Sequence, residues 1–219
     1  MSGGMSCRLF LSLDSVPTSL YSALMDTAER LIESAQQLLW ERGYVGTSPR
    51  AIQERAGAGQ GSMYHHFRGK PDLALAAMRR SAAELRAQAD AQLADGDTAV
   101  EQLGTYLLRE RDPLRGCRVG RMAMDPDVVG SEELRQPVQE TFAWLRERLA
   151  GIVAEGMAAG ELRPGLDPSD TAAAIAAVVQ GGYVLARAAG TREPFDDAVR
   201  GAVALLAAAR PDSSERPAP

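Results

Sequence analysis

The chain is short of the residues that most enzymatic chemistry uses. It has two cysteines, Cys7 and Cys117, and two histidines, the adjacent His65 and His66, in 219 residues. Two cysteines make no disulfide framework, which fits a reducing, cytoplasmic setting. Neither a cysteine nor an acid stands at ligand spacing from the histidine pair, so no metal site is expected. No Gly-rich phosphate loop, Gly-x-Ser-x-Gly elbow or His-Glu-x-x-His string occurs. The expectation is a protein with no catalytic residues and no cofactor, hence not an enzyme. No apolar run approaches ~20 residues, so no membrane-spanning helix and no membrane partner are expected. The apolar stretch Arg8–Asp14 is too short for a signal peptide. Strand-like alternation and internal repeats are missing too, which leaves an all-α chain.

Basic character is also scarce overall, with a formal net charge of −5. It is concentrated locally. Between Thr47 and Lys70 the cations Arg50, Arg55, Arg68 and Lys70 face a single acid, Glu54. One basic surface on an otherwise acidic body suits a protein that meets nucleic acid on one side only.

What is present is helical periodicity with clear punctuation. Residues 1–24 show no period and read as a flexible arm, after which Met25 looks like a second possible start. Ala28, Leu31, Ile32, Ala35, Leu38 and Leu39 form one stripe of a helix over about 26–42, with Asp26 and Glu29 at capping-box spacing. Gly43 ends it. Thr47 or Ser48 caps a second helix to about 56, with Pro49 in its first turn. A third covers about 60–66 and buries Met63. A fourth, 71–93, opens at Pro71. Further helices are expected over about 97–111, 117–124, from 131 to 160 with Pro137 kinking or restarting the run, 168–189 from the start signal Asp167-Pro168-Ser169-Asp170, and 195–209. Residues 211–219 are a Pro/Ser tail.

The organising stretch is Ala56 to Lys70, in which Gly57, Gly59 and Gly61 separate two short helical segments. The second segment presents Gln60, Ser62, Tyr64, His65 and His66. Helix, glycine turn and a second, polar-aromatic helix make the pattern of a helix-turn-helix DNA reader. Gln pairs with adenine in the major groove, and Ser and Tyr hydroxyls bond phosphates. Thr47-Ser48, Ile52, Ala56-Gly57, Gly61-Ser62-Met63-Tyr64-His65-His66-Phe67 and Lys70-Pro71-Asp72-Leu73 together closely resemble the TetR family of transcription factors.

The resemblance covers a small N-terminal part of the chain. It implies an N-terminal three-helix helix-turn-helix DNA-binding domain, 25–71, followed by a C-terminal helical effector-binding and dimerisation domain, 72–210. It also implies a palindromic operator of double-stranded DNA, backbone contacts at Tyr64 and Lys70, and a homodimer through helices 168–189 and 195–209. The expected DNA-binding set is Thr47, Ser48, Arg50, Gln60, Gly61, Ser62, Tyr64, His65 and Lys70. The chain departs from the family at Gln53, where a small residue is usual, and at Gly59, where a Ser/Thr cap is usual.

In the C-terminal part, large side chains are few, with aromatics only 5% of the chain. Tyr106, Met122, Phe142, Trp144 and Tyr183, with Cys117, are the expected lining of a pocket for an apolar or aromatic small molecule; ordinary bundle core is the competing reading. Cys117 itself has two readings. Gly116-Cys117-Arg118 resembles a segment in which some regulators of the family sense electrophiles, and Arg115, Arg118 and Arg121 favour a thiolate. Against this, a small apolar-like residue belongs in the core, and the expectation is a buried, slowly reacting thiol. The leading function is a ligand-responsive regulator, expected to repress. The alternative is a helical small-molecule or thiol-redox sensor with vestigial DNA binding.

Overall fold

The computed structural model describes residues 18–211. Residues 1–17 and 212–219 lie outside the described residues, and with them Cys7, most of the expected arm and the tail. Ten helices follow in order: α1 (Thr18–Arg42), α2 (Pro49–Ala56), α3 (Gln60–His66), α4 (Lys70–Leu93), α5 (Ala99–Leu108), α6 (Arg118–Met122), α7 (Pro126–Gly130), α8 (Glu132–Ala158), α9 (Pro168–Ala189) and α10 (Glu193–Ala208). No strand occurs among the described residues.

The caps explain most of the boundaries. Ser48 accepts the N–H of Ala51, and Gly57, at φ 60, closes α2 in the left-handed conformation with its N–H on Gln53 and Glu54. Thr98 and Glu101 form a reciprocal capping box for α5. Asp167 accepts from Asp170 and starts α9, as its sequence signals.

Two boundaries differ from expectation, and a third narrows to one of two readings. The first helix starts at Thr18, not near 26, so Asp26 lies inside it; Glu29 pairs with Arg80 of α4 instead of closing a capping box. Asp125-Pro126 does not simply end α6: Asp125 caps α7, accepting from Asp127 and Val128. Of the two readings of Pro137, a fresh helix start is excluded, because α8 runs through it. Helix α9 does meet the length and composition of a membrane span, contrary to the expectation that no segment would. Its apolar residues serve the bundle: Ala172, Ile175, Val179, Gly182 and Ala186 are buried.

Two buried clusters organise the chain. One joins Leu31, Leu38, Ile52, Met63 and Leu73 to Val119, Met122, Val128 and Val138, so the first three helices and the α6–α8 region share one core. The other joins α5, α8, α9 and α10 around Leu103, Tyr106, Leu149, Ile152, Val179 and Phe195. Helix α4 carries buried residues of both clusters.

Candidate nucleic-acid interface and ligand cleft

Helix α3 is seven residues long and is held by one side chain, Met63, which is 0% exposed. Gln53 donates to the Met63 sulfur at 3.1 Å, so the unusual glutamine ties α2 to α3. Gln60, Gly61, Ser62, Tyr64 and His65 are exposed, with Tyr64 at 51%. Gly59 caps α3 without a side-chain bond. His66 turns inward, its Nε2 closed off from solvent and without a partner, while its ring meets His65 edge-on at 5.0 Å. The exposed face is therefore contiguous and polar.

The flanking expectations fare unevenly. Ser48 is exposed and caps α2. Thr47 is 1% exposed and its hydroxyl donates to the Gly43 carbonyl at 2.6 Å, so it braces the α1–α2 turn and faces inward instead of outward. Arg50 is exposed and loosely tied to Glu54 at 2.8 Å. Arg55 is spent on a two-pronged pair with Glu41, both contacts 2.9 Å. Lys70 is half-buried, its Nζ 4.0 Å above the Tyr44 ring. Burial pulls its pKa below the usual lysine value, against the opposing pull of Asp127 and Asp125. The basic surface thus rests mainly on Arg50 and Arg68.

The six expected ligand residues do not share a pocket. A cleft of about 500 Å³ opens between α1, α4, the α5–α6 loop and α9, and of the six only Cys117 and Tyr183 line it. Tyr106 is buried behind it at 2% exposure. Met122 and Phe142 belong to the core shared with α1, and Trp144 borders a separate surface hollow beside Arg148. Nor is the cleft mainly apolar, because charged side chains from α4, the α5–α6 loop and the start of α6, Glu84, Arg109, Arg111 and Arg118 among them, line it. Burial pushes the Tyr183 hydroxyl up to about 12 and also raises that of Tyr106, so both are neutral hydrogen-bonding groups.

Cys117 is half-buried at the cleft wall rather than sealed in the core, and its sulfur caps α6 by accepting the Gly120 N–H at 3.3 Å. Two of the three arginines near it in sequence are engaged elsewhere. Arg115 and Arg118 lie over the Trp40 ring at 3.7 and 4.5 Å, and Arg118 pairs with Glu84 at 3.1 Å.

Sequence reasoning missed the residues that tie the two ends of the molecule together. Trp40 of α1 donates to the Gly116 carbonyl at 2.9 Å, beside the cleft. Asp125, buried between α6 and α7, accepts the Val45 N–H of the α1–α2 turn at 3.0 Å. A Cβ at Gly43 would come within 2.9 Å of the same carboxylate, so glycine allows the close approach. In the sequence Asp125-Pro126 reads only as the end of the 117–124 helix, so neither its cap role nor the partner of its second oxygen was legible there.

Comparison with known proteins agrees with this layout. Residues 31–77 match the family model described as bacterial regulatory proteins, tetR family, and residues 99–202 match the tetracyclin repressor-like C-terminal domain. The HTH-type transcriptional repressor DhaR of Mycobacterium sp. (strain GP1) is 28% identical over 175 residues, covering 77% of this chain and 86% of DhaR. A TetR transcriptional regulator from Chloroflexus aurantiacus J-10-FL superimposes with a TM-score of 0.76 at 30% identity, covering 85% of this chain and 96% of the other. A cysteine-substituted form of the TetR family regulator CifR, complexed with 26-bp double-stranded operator DNA, shares the fold with a TM-score of 0.70 at 22% identity, over 81% and 95% of the two chains. With its helix-turn-helix reader, its all-helical second part and matches across both, the chain belongs to the TetR family of bacterial transcriptional regulators.

Proposed function

We propose that the protein is a cytoplasmic repressor that binds a palindromic operator as a homodimer and lets go when a small molecule enters the 500 Å³ cleft. The observation that carries this reading is the exposed polar face of α3, seated on Met63. Its contact set is Ser48, Arg50, Gln60, Gly61, Ser62, Tyr64, His65 and Lys70, without the buried Thr47. Pairing of α9 and α10 with a second copy would place two α3 helices about 34–36 Å apart, one turn of DNA, or a multiple of it. Support for that pairing comes from Val184, Leu185 and Leu205, large apolar side chains left exposed on these helices. Trp40 and Asp125 supply the route from cleft to reader: an occupant that displaces the α5–α6 loop or α6 drags α1 and the α1–α2 turn with it.

Mobility shift with DNA from the chain's own upstream region, across a salt series, tests the reading; retention that does not depend on sequence would overturn it. Within that assay Gln60→Ala should relax preference at one base position, costing about 1–3 kcal/mol there. A uniform loss over all sequences would reduce Gln60 to a positioning contact. Tyr64→Ala and Lys70→Ala should instead weaken all sequences alike, and Lys70→Ala should lower the salt slope by about one. If the slope stays put, the Lys70 ammonium is committed to Tyr44.

A further inference from the structure

The charges of the cleft are of two kinds. At its outer side each one is matched or solvated. Arg118 pairs with Glu84, Asp112 accepts the Arg115 N–H at 3.1 Å, and Glu110 is exposed. The inner wall differs. Arg109 and Arg111 are both half-buried, and among the described residues neither has a carboxylate within ion-pair distance.

Their partners are neutral. Arg109 donates to the Gln92 amide oxygen at 2.6 Å. Arg111 donates to the carbonyls of Tyr106 at 2.7 Å, Leu107 at 2.8 Å and Arg109 at 3.1 Å, the last turn of α5, where the helix dipole is negative. Both guanidinium groups lie 5.2 Å from the Tyr106 ring, which is itself core. The Nε of each is closed off from solvent and has no acceptor. Burial, then the neighbouring Arg109, pulls the Arg111 pKa below the usual arginine value. Two like charges are thus held together, half dry and with no anion beside them. A site of this kind is incomplete without an anionic guest.

We propose that the cleft receives a small organic carboxylate, its charged end on Arg109 and Arg111 and its apolar body against Trp40, Leu85 and Tyr183. The planar guanidinium fork matches a carboxylate, and the two neutral-bonded arginines give up no existing ion pair to take one. A volume of about 500 Å³ holds a guest of drug-fragment size. The proposal names the ligand class for the effector cleft and rests on that reading for its regulatory meaning, whereas binding itself is measured separately from operator release.

The chain has two tryptophans, Trp40 in the cleft and Trp144 outside it, so a full-length Trp144→Phe protein reports on the cleft alone. It is titrated with octanoate and benzoate and with the matched amides, octanamide and benzamide, at fixed ionic strength, following Trp40 emission and melting temperature. At least one acid should bind about tenfold or more tighter than its amide, since only the acid satisfies the guanidinium groups. Arg111→Gln should erase that preference. Because Arg111 also closes α5, Arg109→Gln, which gives up a single bond to Gln92, provides a second variant expected to reduce it. Equal binding of acids and amides, no response to any of the four at millimolar concentration, or a preference surviving both variants would overturn the proposal. Acid-selective binding that leaves the operator complex intact upholds the carboxylate site and overturns the effector reading instead.

Discussion

Gly181→Leu should leave each protomer folded and break the homodimer. A Cβ built at Gly181 meets nothing within 4 Å, so the protomer has room for a side chain there. The next residue makes the contrast. At Gly182 a Cβ would stand 2.8 Å from the Phe195 ring, so Gly182 serves the contact between α9 and α10 inside one chain. Gly181 therefore lies on the other side of α9, towards exposed Val184 and Leu185 and, on α10, Leu205 at 75% exposure. Four such helices from two copies pack closely only if small residues line the seam. A leucine forced into it costs about 3 kcal/mol, or roughly a hundredfold in dimer dissociation constant. Operator affinity should fall in step, because a palindrome engages two readers at once. Light scattering with an unchanged melting transition of the protomer checks this. A dimer that persists in Gly181→Leu at micromolar concentration would move the interface to another face.

How far the chain could be read from its sequence follows from how local each feature is. The reader is local: α2, its glycine turn and α3 occupy nineteen consecutive positions from Ser48 to His66, and cap, turn and exposed face are all written there. Helix ends were legible wherever one residue decides them, as at Ser48, Gly57 and Asp167. They were misread where one signal has two meanings. Asp125-Pro126 both ends α6 and opens α7, in the same way that Asp167-Pro168 opens α9.

The cleft is not local. Its walls come from α1, α4, the α5–α6 loop and α9, so no window of sequence contains it. Choosing the largest C-terminal side chains found the core more than the cleft: Tyr106, Met122 and Phe142 are packed into the clusters, because bulk is what a bundle interior takes first. Arg109 and Arg111 fall inside the helix expected over about 97–111, which ends at Leu108 in the structure. Their partners, the carbonyls that end α5, are backbone groups that no residue letter announces. Thr47 shows the reverse error. A hydroxyl beside a helix start reads as a cap or a phosphate ligand, and the tight turn at Gly43 takes it inward instead.

The same turn is where Asp125 should matter most. Its Oδ2 accepts the Val45 N–H, and its Oδ1 accepts from Asp127 and Val128 at the start of α7. Asp125→Ala removes the acceptor of three donors, of which only Val128 belongs to a buried residue while Val45 and Asp127 are exposed, so the loss is about 1–3 kcal/mol of stability. Asp125→Asn separates the two roles. The amide has one acceptor; turned towards α7 it keeps the cap and presents its NH₂ to Val45, where donor meets donor. Folding should then be only mildly weakened while the tie to the α1–α2 turn is lost. Hydrogen exchange at the Val45 amide should rise by about tenfold or more, matching roughly 1.5 kcal/mol for a bond to a charged acceptor. Ligands that occupy the cleft should still bind, because Asp125 does not line it. They should release the operator less completely than from the unaltered protein. Undiminished release from Asp125→Asn, with Val45 exchange raised, would mean that the signal passes through Trp40 and α1 without this contact.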